Sequence, residues 1–87
     1  MIKVQGAVII EQGVTFAIIV VKPHVTQYTA RAVSLRSEIA PFFRNMPIVL
    51  MSQDRTGKPR YYGRIDMVDF LKTVKIEQIP WKTYHIY

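Results

Sequence analysis

The chain has 87 residues, 49% of them hydrophobic and 21% charged, which is typical of one folded domain over residues 1–87 and excludes a disordered polypeptide. The absence of cysteine excludes disulfides, cysteine nucleophiles and thiolate zinc sites. The net charge of +6 is compatible with an anionic partner such as nucleic acid, and equally with a charged surface that keeps a small domain in solution.

Residues 2–22 are predicted to form a β-hairpin. Apolar residues alternate with others along the first arm, and the sequence Glu11-Gln12-Gly13 supplies a turn in which glycine is free to take a positive φ. The second arm is apolar on both faces, as in a central strand buried on two sides. Because a chain of this length has little material to cover both faces, the second arm also predicts a partner subunit.

A helix is predicted after Pro23, with Thr26 as its N-cap and an end near Pro41, which disfavours helical geometry in the residue before it. Its inward stripe falls at positions i, i+4, i+7 and i+11. The residues of this stripe are Tyr28, Ala32, Leu35 and Ile39.

The second half of the chain predicts another hairpin followed by a helix. An apolar strand at 48–52 leads into a turn at 54–57, where Gly57 holds the position that wants a positive φ, and into a return strand at 58–64. Asp66 is the predicted N-cap of a helix at 67–72, and Asp69 complements the dipole of that helix. Residues 44–87 carry a net charge of +4, against +2 for residues 1–43.

The last residues alternate as in a strand from Trp81 onward, which predicts either an edge strand of the same sheet or a strand that pairs with a second copy of the chain. The element order is therefore ββαββα with an optional final strand. We expect an α+β fold in the form of a two-layer sandwich, with two helices on a mostly antiparallel sheet.

No signal peptide is evident, because the apolar run at 7–10 is interrupted at Glu11 and Gly13. The longest apolar runs, at 7–10 and 16–21, are far shorter than the roughly 20 residues that span a bilayer. We therefore expect a soluble, cytoplasmic protein without a membrane partner.

Motifs for catalysis, cofactors and metals are missing from the sequence, so no catalytic, cofactor or metal residue is predicted. His24 and His85 are the two histidines, and they lie far apart along the chain. Asp66 and Asp69 are explained by the helix start, and Gly57-Lys58 lacks the upstream glycine of a phosphate-binding loop.

One cluster of side chains has the composition of an anion or nucleic-acid site. Arginine binds phosphate through its planar fork, and tyrosine offers a flat face to a base. The alternative is that these residues are a solvated hairpin face that resists edge-to-edge aggregation. The candidate residues are Arg55, Lys58, Arg60, Tyr62 and Arg64.

Three functions are compatible with the sequence. The first is a non-catalytic interaction module that associates with itself as a twofold homodimer. The alternatives are a nucleic-acid-binding protein that uses the basic hairpin 55–64, and a small toxin-type ribonuclease, which requires His24 or His85 near Arg60 and Tyr62. The residues predicted for self-association are Phe16, Ile18, Val20, Trp81, Tyr84 and Tyr87.

Overall fold

The computed structural model of the protein describes residues 2–11 and 13–86. Within these residues the strands are β1 (Ile2–Glu11), β2 (Val14–Val20), β3 (Ile48–Gln53), β4 (Pro59–Tyr62) and β5 (Lys82–Ile86). The helices are α1 (Pro23–Gln27), α2 (Thr29–Ile39) and α3 (Ile65–Leu71), with short 3₁₀ helices at Ala40–Phe43 and Ile76–Gln78. The strands form one sheet in the order β4-β3-β2-β1-β5, in which β2 and β3 are parallel and the other neighbours antiparallel. The predicted α+β class and the mostly antiparallel sheet are confirmed.

The hairpin of β1 and β2 has the predicted form. Glu11 pairs with Val14 at its end, and Gly13 takes a φ of 77°. Side chains with bulk at Cβ rarely adopt this left-handed conformation, which explains why glycine stands at the turn. The corresponding prediction for the second hairpin is also confirmed, since Gly57 has a φ of 85°.

One face of the sheet is covered by the crossover between the parallel strands β2 and β3. Ala17 and Ile19 of β2 pack there with Ala32 and Ile39 of α2 and with Phe43. A parallel pair requires a connection that runs back along the sheet, and α1 and α2 supply it.

The opposite face is covered by α3. Phe16 and Ile18 of β2 pack there with Met67 and Leu71 of α3, and with Ile79 from the segment that follows. The helices therefore lie on opposite faces, and the layers are helix, sheet and helix instead of the two layers expected. Both apolar faces of β2 are buried by the protein itself.

Gly63 is the point at which the chain leaves β4 for that second face. A Cβ atom at this position would lie 2.9 Å from Cγ2 of Val49 and 3.1 Å from the carbonyl oxygen of Ile48. Both distances are shorter than ordinary van der Waals contact, so the chain can pass this close to β3 because residue 63 has no side chain.

The helices begin at other residues than the sequence predicts. Lys22 is the N-cap of α1, so Thr26 lies inside this short helix. The extended backbone of Tyr28 separates α1 from α2, and this residue is 59% exposed instead of facing the core. Arg64 is the N-cap of α3, which places Asp66 in the first turn of the helix.

The C-terminal segment forms an edge strand of the same sheet. β5 pairs with β1, with Tyr84 opposite Val4 and Ile86 opposite Ile2. Tyr84 packs edge-on against Phe43, with 5.1 Å between the ring centroids.

Among the helices of the described residues, none has the length and the apolar character needed to cross a membrane.

Candidate anion-binding cleft

A cleft of about 230 Å³ lies between α1 and the hairpin of β3 and β4. It is found where the parallel strands β2 and β3 end, since β2 runs into α1 and β3 ends at Gln53. The carboxyl ends of parallel strands are a common position for ligand sites in sheets with helices on both faces. The lining residues are Pro23, Thr26, Gln27, Ser52, Gln53, Asp54, Arg55 and Arg60.

The carboxylate of Asp54 is engaged by its own hairpin turn. Its Oδ1 accepts hydrogen bonds from the amide of Thr56 at 2.8 Å, the hydroxyl of Thr56 at 2.6 Å and the amide of Lys58 at 3.0 Å. The Thr56 hydroxyl, followed by the Lys58 amide and with a smaller contribution from the charge of Arg60, lowers the pKa of Asp54. Asp54 thus shapes the turn that carries Arg55, and it stays ionised at neutral pH.

Arg55 and Arg60 bring two positive charges to the cleft. Arg60 stands opposite Ser52 in the register of β3 and β4, so both side chains lie on the cleft side of the sheet. The ion pairs found in the described part of the chain involve other cations, Arg64 with Asp66 and Lys72 with Asp69. Neither cleft arginine therefore has a carboxylate within ion-pair distance among those residues.

Two hydroxyl groups join the walls of the cleft. Oγ of Ser52 lies 2.8 Å from Oγ1 of Thr26, which itself donates a hydrogen bond to the carbonyl of Pro23 at 3.1 Å. Because the single hydroxyl proton of Thr26 is used in the bond to Pro23, Ser52 is the donor in the bond between the two hydroxyls. Among the described residues, Ser52 is the one polar residue that is buried, with 1% of it exposed. The bond to Thr26 therefore satisfies a hydroxyl that would otherwise be costly to bury.

Comparisons with protein-family models, curated proteins and solved structures found no match for this chain.

The sequence predicts one shared face for Arg60, Tyr62 and Arg64, and the structure keeps Arg60 and Tyr62 on one face of β4 but removes Arg64 from it. β4 ends at Tyr62, and Arg64 is at the start of α3, where it forms an ion pair with Asp66 at 2.8 Å. The hydrogen bond from Arg64 is the main cause that lowers the pKa of Asp66. Arg64 is thereby engaged away from the cleft.

Tyr62 has one ring face covered. The guanidinium of Arg36 lies 5.6 Å from the ring centroid of Tyr62, and Nε of Arg36 donates to the carbonyl of Ile48 at 3.0 Å. This cation–π contact occupies a face that a stacked base would need. Lys58 lies in the turn next to the cleft with its side chain exposed.

The residues predicted for self-association are largely packed within the protein. Phe16 is 1% exposed and Ile18 is 0% exposed, and Val20 packs against the same cluster under α3. The ring nitrogen of Trp81 donates to the carbonyl of Ile76 at 3.0 Å, and Tyr84 is half-buried against Phe43. Tyr87 lies outside the described residues. Self-association is predicted from a sheet face that a short chain would leave exposed, but α3 covers that face.

The two histidines are not at one site. His85 stands in β5, four strands from β4 and therefore about 19 Å away at about 4.8 Å per strand. Its side chain lies on the α3 side of the sheet, since Tyr84 and Ile86 pack on the α2 side. His24 lies in α1 with its side chain exposed, next to Pro23, but it does not line the cleft. The described residues also contain no group of three or more His, Asp or Glu side chains arranged to hold a metal ion.

Sequence reasoning found the arginines of the cleft but missed its other wall. The sequence predicts that Thr26 is a helix cap and that Ser52 is the end of a buried strand. A serine that continues an apolar run was the available signal, because a buried hydroxyl requires a partner. That partner lies 26 positions away along the chain, a contact that the local pattern does not reveal.

Proposed function

We propose that this protein is a non-catalytic module that binds nucleic acid through phosphate contacts in the cleft between α1 and the hairpin of β3 and β4. The observation that carries the proposal is the convergence of Arg55 and Arg60 on this cleft, with no carboxylate at ion-pair distance from either among the described residues. Arginine binds phosphate through two parallel N–H donors, which gives both strength and orientation.

The charge distribution favours a polyanion as the ligand. The chain has a net charge of +6, and Lys58 adds an exposed positive charge in the same turn as Arg55. A chain of phosphates gains affinity from each neutralised charge by releasing counterions. Recognition of bases by stacking on Tyr62 is not part of the proposal, since Arg36 covers one face of that ring.

The lining of the cleft favours binding over catalysis. It includes no histidine, and its carboxylate, that of Asp54, already accepts three hydrogen bonds within its turn. The hydroxyl of Ser52 is buried and bonded to Thr26, so it has no base beside it that would activate it. A toxin-type ribonuclease would need acid and base groups that these residues do not supply.

The test is the salt dependence of binding to a labelled single-stranded oligonucleotide, measured by fluorescence anisotropy between 50 and 200 mM salt. We expect the double variant Arg55→Gln/Arg60→Gln to bind at least about tenfold more weakly and to lower the salt slope by about 1.4, because two phosphate contacts are lost. The matched control is Lys72→Gln/Lys75→Gln, which removes the same charge from the segment that follows α3, on the other side of the sheet. Equal losses in both double variants, or no binding by the wild type at 50 mM salt, would overturn the proposal.

We also propose that two copies associate through their β5 strands. β5 is at the edge of the sheet, and in the described chain no strand pairs with its outer side. The other edge strand, β4, is shorter and begins with Pro59, a residue that discourages further pairing because it has no N–H. In an antiparallel pair centred on Tyr84, Lys82 would stand opposite the partner's Ile86, so that no like charges meet.

Light scattering over a range of protein concentrations tests this association. A mass of twice 10.1 kDa supports it, and a mass of 10.1 kDa at every concentration up to the millimolar range overturns it.

A further inference from the structure

We infer that the cleft takes a terminal phosphate monoester, the group at a phosphorylated end of a nucleic acid strand, in preference to an internal phosphodiester. This inference rests on the proposed function and adds the chemical identity of the group that enters the cleft. Two observations carry it: the size of the cleft and the number and charge of its hydrogen-bond donors.

The cleft is small and bounded on several sides. Its volume of about 230 Å³ is below the roughly 300–1,000 Å³ of pockets that enclose a drug-sized ligand. α1 forms one wall, the turn with Arg55 forms another, and the buried Ser52 lies between them. A single phosphate with part of its sugar has the size that such a space holds, whereas a strand that continues on both sides of the phosphate is larger.

The donors match the charge of a monoester. A terminal monoester has a charge of about −2 near neutral pH and three acceptor oxygens. An internal diester has a single negative charge and fewer free oxygens. The two guanidinium groups of Arg55 and Arg60 can each present a pair of N–H donors, and the side-chain amide of Gln27 adds a further donor on the α1 side.

The acidic residue of the lining does not block this arrangement. Asp54 is ionised, but three donors of its own turn converge on Oδ1, and the positive charge of Arg60 is close enough to lower the pKa of Asp54. The carboxylate keeps its negative charge, so Arg55, Arg60 and Asp54 together leave one net positive charge at the cleft, to which exposed Lys58 of the same turn adds a second.

Thr26 supplies a donor that becomes available on binding. Its hydroxyl proton is directed at the carbonyl of Pro23 over 3.1 Å, in an exposed bond within α1. Turning this proton towards a phosphate oxygen replaces one neutral bond by a charge-assisted bond, while the bond that Thr26 accepts from Ser52 is retained.

The experiment compares three oligonucleotides of one single-stranded sequence, with a 5′-phosphate, a 3′-phosphate or two hydroxyl ends, each labelled at an internal base. Anisotropy titrations at 100 mM salt use the wild type, Arg55→Gln/Arg60→Gln, and the control Lys72→Gln/Lys75→Gln. We expect the wild type to bind one of the phosphorylated strands at least about tenfold more tightly than the unphosphorylated strand. The comparison of the 5′ and 3′ arms identifies which end is bound.

The ratio of affinities distinguishes the outcomes. The cleft variant should bring the ratio close to one, whereas the control should weaken all three strands and keep the ratio. Thr26→Val should reduce the ratio and Thr26→Ser should restore it. A wild-type ratio within about twofold of one overturns this inference, and the proposed nucleic-acid function survives it if binding to all strands remains steeply salt-dependent. A ratio that persists in the cleft variant places the terminal phosphate elsewhere and also overturns the inference.

Discussion

The hydroxyl groups of Thr26 and Ser52 lie 2.8 Å apart and connect α1 to the end of β3. The bond satisfies Ser52, which is 1% exposed, and it joins two walls of the cleft. Stability and the shape of the candidate site therefore depend on the same pair of side chains.

Replacing Thr26 by valine should destabilise the fold by about 1–3 kcal/mol, because the buried Ser52 hydroxyl loses its partner. Thr26→Ser keeps the hydroxyl and should stay within about 0.5 kcal/mol of the wild type. In Thr26→Val/Ser52→Ala both polar groups are gone, and the double variant should recover part of the loss. Urea denaturation measures all three, and equal stability of Thr26→Val and wild type would contradict the role of this bond.

The unfolding free energy should fall in acid through Asp54. The hydrogen bonds of the turn lower the pKa of Asp54, so the folded state favours the ionised form. This contribution is present above the unfolded pKa of about 3.8 and is lost as the pH falls through the lower, folded pKa.

We expect Asp54→Asn, which keeps an acceptor oxygen but no charge, to show a smaller loss of stability between pH 5 and pH 2.5 than the wild type. Urea denaturation across that range is the measurement. Asp66→Asn should show the same direction, because Arg64 lowers the pKa of Asp66. Parallel curves for Asp54→Asn and the wild type would show that the turn does not distinguish the two protonation states.

Tyr61→Phe should be neutral or stabilising by up to about 1 kcal/mol. The Tyr61 hydroxyl is buried and has no hydrogen-bond partner within the described chain. Its removal takes away a polar group whose loss of hydration is not offset by a hydrogen bond. Burial also raises the pKa of Tyr61, so the folded state favours the neutral phenol. This contribution is present below the ordinary pKa of 10.0 and is lost as the pH rises through the higher pKa of the folded state, so the wild type should lose more stability there than Tyr61→Phe. Thermal melts at pH 7 and pH 11 test both statements, and a destabilised Tyr61→Phe at pH 7 would reveal a partner for the hydroxyl.

Charges placed on β5 should control the proposed association. Thr83 and His85 are exposed neighbours of Tyr84, and in an antiparallel pair centred on Tyr84 each faces the other in the partner copy. Thr83→Lys/His85→Lys brings like charges together across the pair and should give a monomer. Thr83→Lys/His85→Glu brings opposite charges together and should keep the dimer. Light scattering measures the mass of both variants in solution. The same mass for the two would exclude this register of the β5 pair.

Local patterns were sufficient for most elements of the fold. Gly13 and Gly57 marked the two hairpin turns, because the positive φ at these positions favours a residue without a side chain. The helix starts were less predictable. Asp66 has the side chain of a good cap, but the N-cap of α3 is Arg64, two residues earlier, directly after the close approach of Gly63 to Val49.

Patterns among neighbouring residues predict the strands, the turns and the positive charge near residues 55–64. Tertiary packing sets the position of α3 opposite α2, where α3 buries the apolar surface of Phe16 and Ile18. Tertiary packing also places Arg60 in one cleft with Thr26, while Arg64 is bound to Asp66. Such contacts join residues distant in sequence, and their geometry follows from how the layers pack.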